Sequence, residues 1–191
     1  MNIQNLQKTS LKLVPAFLAT ATLVTSFITP AFAQNRVEIV GGDYGGNGCP
    51  AGSASVTVSS DAQELSILFD QFIADGTNVR ERRKSCNLTI PMKIPQGFQI
   101  SLSSVNYVGN ISHETTGRLR AEYFFAGQRG PVFSGTFTGE TDYNVRHKPD
   151  IWSDCGASVN MRVNAAIVAN GSGTAAVHSL NNLVIKTRHC E

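Results

Sequence analysis

The sequence predicts an all-β protein: a disulfide-stapled β-sandwich of jelly-roll or Greek-key type, preceded by a cleaved signal peptide. Three observations carry this. Apolar and polar residues alternate with period two through most of the chain after residue 49, as in strands with one face in a core. All four cysteines, Cys49, Cys86, Cys155 and Cys190, follow an N-terminal stretch built like an export signal. No segment shows a helical period with caps at its ends.

In that N-terminal stretch, Lys8 and Lys12 supply the basic region and residues 13–28 the apolar one. Ala31-Phe32-Ala33 is an A-x-A cleavage site, just after Pro30. The apolar run is shorter than the roughly 20 residues of a spanning helix. Residues 1–33 therefore read as a removed signal, with the mature chain starting at Gln34 and no membrane span in it. No cysteine stands at the cleavage point, which argues against a lipid anchor. The expected location is extracellular, or the periplasm. The signal holds two of the 16 basic residues and no acid, so 14 bases face 14 acids afterwards. That balance argues against nucleic acid as a partner.

Residues 34–48 read as a flexible segment, with a short strand at Arg36–Val40 and then a glycine-rich linker from Gly41 to Gly48 that lacks the Lys-Ser/Thr of a phosphate-binding loop. The domain proper is expected over residues 49–191. Ala54, Val56 and Val58 predict a strand, Leu65, Ile67 and Phe69 a second, and Asp61-Ala62-Gln63 the turn of their hairpin. Phe72 and Ile73 break the period, and residues 74–85 read as a polar loop. Cys86, Leu88, Ile90, Met92 and Ile94 share one face of the cleanest strand, with Pro91 on the other face limiting it to an edge or a bulge. After a turn at Pro95-Gln96-Gly97, Phe98, Ile100 and Leu102 alternate, followed by Val105 and Tyr107. Residues 109–117 read as a loop. Leu119, Ala121, Tyr123 and Phe125 predict a strand whose other face holds Arg118, Arg120, Glu122 and Phe124. A turn at 127–130 leads to a strand at 132–138, and a long loop with short strands is expected over 140–154. Val159, Met161, Val163, Ala165 and Ile167 mark a long strand, 170–173 a turn, and 175–190 a last strand or pair.

An even cysteine count in an exported chain implies disulfides. Four cysteines allow three pairings. Sequential pairing closes two loops of similar length; nested pairing, Cys49 with Cys190 and Cys86 with Cys155, would tie the domain ends together. The spacing leaves these open, with the sequential pairing slightly ahead.

Five stretches carry a resemblance: Gly-Cys-Pro-Ala-Gly-Ser at 48–53, Arg-Lys-Ser-Cys-Asn-Leu-Thr at 83–89, Pro-Gln-Gly-Phe-Gln at 95–99, Asp-Cys-Gly-Ala-Ser at 154–158 and Arg-His-Cys at 188–190. With the signal, they make the chain similar to the secreted domain-of-unknown-function family 4360 of fungi and bacteria. The resemblance covers about 48–190. It implies secretion and paired cysteines, and brings no catalytic residues.

No catalytic, cofactor or metal motif stands out. His113-Glu114-Thr115-Thr116-Gly117 opens like a zinc-protease motif but lacks the second histidine. Glu140, Asp142, Asp150 and Asp154 crowd one region, yet their spacing fits no calcium loop. Glu122 and Glu140 are the candidates for a polysaccharide-cleaving carboxylate pair. Arg80-Glu81-Arg82-Arg83-Lys84 is the one basic run, suited to an anionic surface or polysaccharide. Phe124, Trp152 and Tyr107 are the candidate sugar-stacking rings. Asn87, Asn110 and Asn170 head glycosylation sequons, Asn87 the least accessible of them because it lies within a strand. The leading expectation is a non-catalytic secreted module that binds carbohydrate or matrix at the cell surface. A polysaccharide-acting enzyme and a purely structural envelope protein are the alternatives.

Overall fold

Twelve antiparallel strands and no helix make up the described residues, 36–156 and 158–191 of this computed structural model. The expected signal peptide lies outside them. Numbered in chain order, sheet A runs β1 (Glu38–Ile39), β6 (Arg83–Lys93), β11 (Val159–Gly171), β8 (Thr115–Phe125) and β9 (Val132–Thr138). Beside β1, β2 (Asp43–Gly45) also pairs with β6. Sheet B runs β10 (Thr141–His147), β7 (Phe98–Ile111), β12 (Thr174–His189), β4 (Glu64–Phe69) and β3 (Ala54–Val58), and β5 (Ile73–Asp75) pairs with β12. From β5 the chain crosses to β6, back to β7, across to β8 and β9, back to β10, across to β11 and back to β12. The resulting four-strand cores, β4-β12-β7-β10 and β6-β11-β8-β9, are those of a jelly roll.

The period-two residues meet between the sheets. Leu88, Ile90 and Met92 of β6, Leu119, Tyr123 and Phe125 of β8, and Met161, Val163 and Ile167 of β11 are all buried. So are Ile67, Ile100, Leu102, Leu180 and Leu183 from sheet B. Cys49 pairs with Cys86 and Cys155 with Cys190, the sequential arrangement.

Three expectations are corrected. Residues 41–48 are not a free linker: β2 pairs with β6 there, and the short strand expected at 36–40 is β1 on the same edge, with Val37 and Ile39 buried. The glycines of 41–48 permit close approach rather than mobility. A Cβ on Gly48 would fall 2.5 Å from the Phe72 ring, and Gly46, at φ 147°, packs on the Ser85 carbonyl. The expected loop at 109–117 is a strand–turn–strand, because Gly109 and Gly117 lie in β7 and β8. The short strand expected within 140–154 is β10, whose inward residues are Tyr143, Val145 and His147. Residues 74–85 are shortened at both ends by β5 and β6.

Two irregularities follow from local chemistry. The shift from Leu102 to Val105 is a bulge: Ser104 pairs with Val184 while Leu102 pairs with Ile185, so Ser103 is extra. Pro91 does not make β6 an outermost strand. Its carbonyl accepts from Val40 N at 2.9 Å, so its missing N–H faces the broken β1/β2 edge rather than β11.

Candidate functional site

Each sheet turns one face to solvent, and the candidate rings divide between those faces and the core. Tyr107 is a correction. It is fully buried, and its hydroxyl accepts from that of Tyr123 at 2.9 Å. It offers no ring to a ligand; the Val105/Tyr107 alternation that suggested a strand already placed it inward. Phe124 lies on the outer face of sheet A, half-buried and opposite Arg162.

Trp152 lies on the outer face of sheet B. A bridge to Ser101 places it where β10 would continue along β7. Its ring is not bare. The Arg188 guanidinium sits 4.0 Å from the ring centroid and Lys186 Nζ 5.2 Å, a stacked cation arrangement. Arg188 Nε donates to Gln99 Oε1 at 3.1 Å, and Lys186 approaches Asp150 at 3.4 Å. The Cys155–Cys190 crosslink anchors the two segments that carry this group.

Further along the same face most outward positions are neutral amides and hydroxyls, and Val108 and Arg146 are the exceptions. In register order they include Ser104, Asn106 and Val108 of β7, and Asn181 and Ser179 of β12, bordered by Asn144 and Arg146 of β10. Bulges at Val177/Ser179 and Asn181/Val184 crowd this stretch, and Asn182 takes φ 51° there, a conformation asparagine tolerates. Ser104 donates to the Asn182 carbonyl and Asn181 to Ser179 Oγ. Although they face away from the core, Ser104, Asn106 and Ser179 are only 6%, 9% and 6% exposed. They form a polar floor on the outer face, covered in large part by their neighbours. The Asn106 side-chain amide has no hydrogen-bond partner among the described residues, while its neighbours are mutually satisfied. An amide held in place with free donor and acceptor capacity suits a hydroxyl-rich ligand. Sequence reasoning missed this face. Its residues are the polar half of ordinary alternation, and nothing local distinguishes them from solvated serine and asparagine.

A family model described as "Domain of unknown function (DUF4360)" matches residues 35–189. The chain belongs to this family. An uncharacterized secreted protein of Arthroderma benhamiae is 36% identical over 145 residues, covering 70% of this chain and 59% of that protein. The chain thus spans about 59% of that relative's length. Among solved structures, a carbohydrate-binding module specific for non-crystalline cellulose overlaps 78% of this chain and 89% of its own at 11% identity and TM-score 0.37. A mannan-recognising carbohydrate-binding module overlaps 79% and 98% at 10% identity and TM-score 0.36. At these TM-scores the likeness bears on neither ligand nor site.

In this DUF4360 chain the remaining candidates do not converge. Arg82 turns onto the Gly76 carbonyl and Lys84 pairs with Glu81, so the basic run presents only Arg80 and Arg83 fully to solvent. Glu140 and Asp142 border a shallow cavity of about 280 Å³ with Asn110 and Ser112, whereas Asp150 and Asp154 lie past the far end of β10. Among the described residues no three His, Cys, Asp or Glu side chains gather as metal ligands. His113 and Glu114 sit in the β7–β8 turn. Glu122 pairs with Arg120 on the outer face of sheet A, opposite Val132 at the start of β9. Glu140 follows the other end of that strand, roughly 20 Å away at about 3.3 Å per residue. Glycosidase carboxylates need about 5–10 Å. Asn87 is exposed despite its strand, and Asn110, bonded to His178 at 2.8 Å, is the more enclosed sequon.

His147 closes the seam where β9 and β10 face each other. Its ring stacks on Phe133 at 4.4 Å and lies 4.9 Å from Tyr123 and 6.1 Å from Tyr107. Both ring nitrogens are buried without a hydrogen-bond partner. Burial among these uncharged rings pushes its pKa down to about 4. The unfolded chain takes up this proton near pH 6.5, so the stability is complete above that pH and is lost as pH falls from about 6.5 towards 4. Asp61 and Asp75, held below the usual carboxylate range by hydrogen bonds from Ser59 and Thr77, act only at lower pH. The urea midpoint is expected to drop between pH 7 and pH 5, and His147→Phe to flatten most of that drop. An equal drop in the variant would show that other groups carry it.

Proposed function

We propose that this protein is a secreted, non-catalytic module that binds carbohydrate on the outer face of sheet B. One observation carries the reading: Asn106, shielded and unpartnered, lies in a floor of neutral amides and hydroxyls that faces outward. Uncharged donors and acceptors at fixed spacing match sugar hydroxyls, and the rigid paired strands of a sandwich hold them with little ordering cost on binding. Trp152 bounds the face, its ring edge and the charges stacked on it forming one wall. The separation of Glu122 from Glu140 speaks against the enzyme reading. Export is supported by the N-terminal signal pattern, by two disulfides and by the likeness to a secreted fungal protein.

The test is retention on insoluble neutral polysaccharides at low and high salt. Wild type is expected to be retained at both, because uncharged contacts are not screened. Asn106→Ala is expected to weaken retention about tenfold, the effect of losing roughly 1.4 kcal/mol, with an unchanged melting temperature. Absence of retention on every polysaccharide would leave the structural role in front. Release of soluble sugar would restore the enzyme.

A further inference from the structure

After residue 33 the 14 basic and 14 acidic residues balance, but they are not spread evenly. Arg83 of β6, Arg118 and Arg120 of β8 and Arg162 of β11 all point outward from sheet A and are exposed. Register places Arg83, Val168 and Arg118 in one cross-strand row, Ser85, Ala166 and Arg120 in the next, and Thr89, Arg162 and Phe124 two rows on. Outward neighbours along a strand stand about 6.8 Å apart and strands about 4.8 Å apart, so the guanidinium groups lie on an open lattice. Two acids stand on these rows: Asp43 of β2, at the sheet edge opposite Thr89, and Glu122, which meets Arg120 at 3.4 Å in an exposed pair. Such pairs are weak. Arg118 touches only Ser134, at 3.4 Å, and Arg83 and Arg162 have no side-chain partner among the described residues. The spaces between them hold hydroxyls and amides: Ser85, Asn87, Thr89, Ser134, Thr136 and Asn164.

We infer that this face docks an acidic polysaccharide, a polymer bearing carboxylates at intervals. The planar arginine fork matches a carboxylate through two parallel hydrogen bonds, and here the forks of Arg83 and Arg162 stand unpartnered on a rigid sheet, with those of Arg118 and Arg120 only weakly engaged. The intervening hydroxyls and amides can meet sugar hydroxyls, and Phe124 beside Arg162 offers an aromatic face to a ring. Duplex nucleic acid fits less well, because outside this patch acids outnumber bases in the chain after residue 33. An anionic bilayer fits less well because the patch is arginine without lysine and Phe124 is half-buried. The surface is separate from the amide floor of sheet B, which faces the opposite way.

The experiment measures binding of the whole protein to soluble polygalacturonate at 50 and 500 mM sodium chloride, beside the neutral polysaccharide that wild type retains best. Wild type is expected to bind polygalacturonate at the lower salt and to lose at least about tenfold at the higher, where the screening length falls to a few ångström. Arg118→Gln with Arg120→Gln, and separately Arg162→Gln, are expected to weaken polygalacturonate about tenfold or more, as loss of charge-assisted hydrogen bonds does. Neither variant should change the melting temperature or retention on the neutral polymer. Asn106→Ala should leave polygalacturonate binding intact, so the two faces fail separately. Absence of polygalacturonate binding at 50 mM salt, or equal binding by the variants, overturns the inference. Tighter binding to duplex DNA or to phosphatidylserine vesicles, lost in the same variants, overturns the polysaccharide as occupant.

Discussion

Complete reduction of the two disulfides is expected to lower the melting temperature by roughly 15–30 °C. The crosslinks close separate loops, with sequence separations of 37 and 35. In the chain-entropy model each loop of this size restricts the unfolded ensemble by roughly 4 kcal/mol. The loops do not overlap, so the two effects add to first order. Their sum is comparable with the whole stability of an ordinary domain, about 5–15 kcal/mol. For a chain of this length each kcal/mol moves the midpoint by about 2–4 °C. The check is thermal unfolding with and without a phosphine reductant, with reduction confirmed by mass. A fully reduced protein that melts within about 5 °C of the oxidised one would refute the crosslinks as a main source of stability.

The second large effect is expected at Ile90. It is fully buried in the middle of β6, opposite Met161 of β11, with Leu88 and Met92 on the same inner face. Ile90→Ala removes three methyl-sized groups from a site enclosed by rigid strands, where collapse is limited. The expected cost is about 2–5 kcal/mol. Thr89, its immediate neighbour, faces outward beside Arg162. Thr89→Ala is expected to cost well under 1 kcal/mol, since surface substitutions usually fall within about ±0.5 kcal/mol. Urea titrations of both variants measure this contrast. Equal losses would mean that the strand is shifted by one residue, which would exchange its faces.

Inward strand faces were legible in the sequence because burial enforces period two, as at Leu88, Ile90 and Met92. The pairing of strands was not, because it depends on contacts between residues as distant as Phe98 and His189. Residues 41–48 misled because glycine has two uses. Gly46 and Gly48 look like freedom in a sequence and serve as clearance against β6 and Phe72. β10 was legible only as a short strand without bounds, because its inward positions, Tyr143, Val145 and His147, are interleaved with Asp142, Asn144 and Arg146 and end on a histidine rather than an apolar residue. Phe124 and Trp152 were placed on solvent-facing surfaces, and Tyr107 was not, because a tyrosine fits either side of a strand. The floor around Asn106 was out of reach. Shielding there comes from bulges in β12 and from β10 alongside, which no local pattern records.

The strand order also dictates when this fold can exist. β11 joins β6 to β8, and β12 joins β7 to β4 and β5, so the last two strands are central in both sheets. A chain synthesised only as far as β10 holds the hairpins β3–β4 and β8–β9, the pair β7–β10 and β6 with the short β1 and β2, with no strand to connect them. Isolated two-strand pieces are marginal in water. The polypeptide therefore stays without either sheet until its final strands are delivered. A protein passed through a membrane pore as an extended thread gains from this arrangement, because it reaches the far side before it is able to fold.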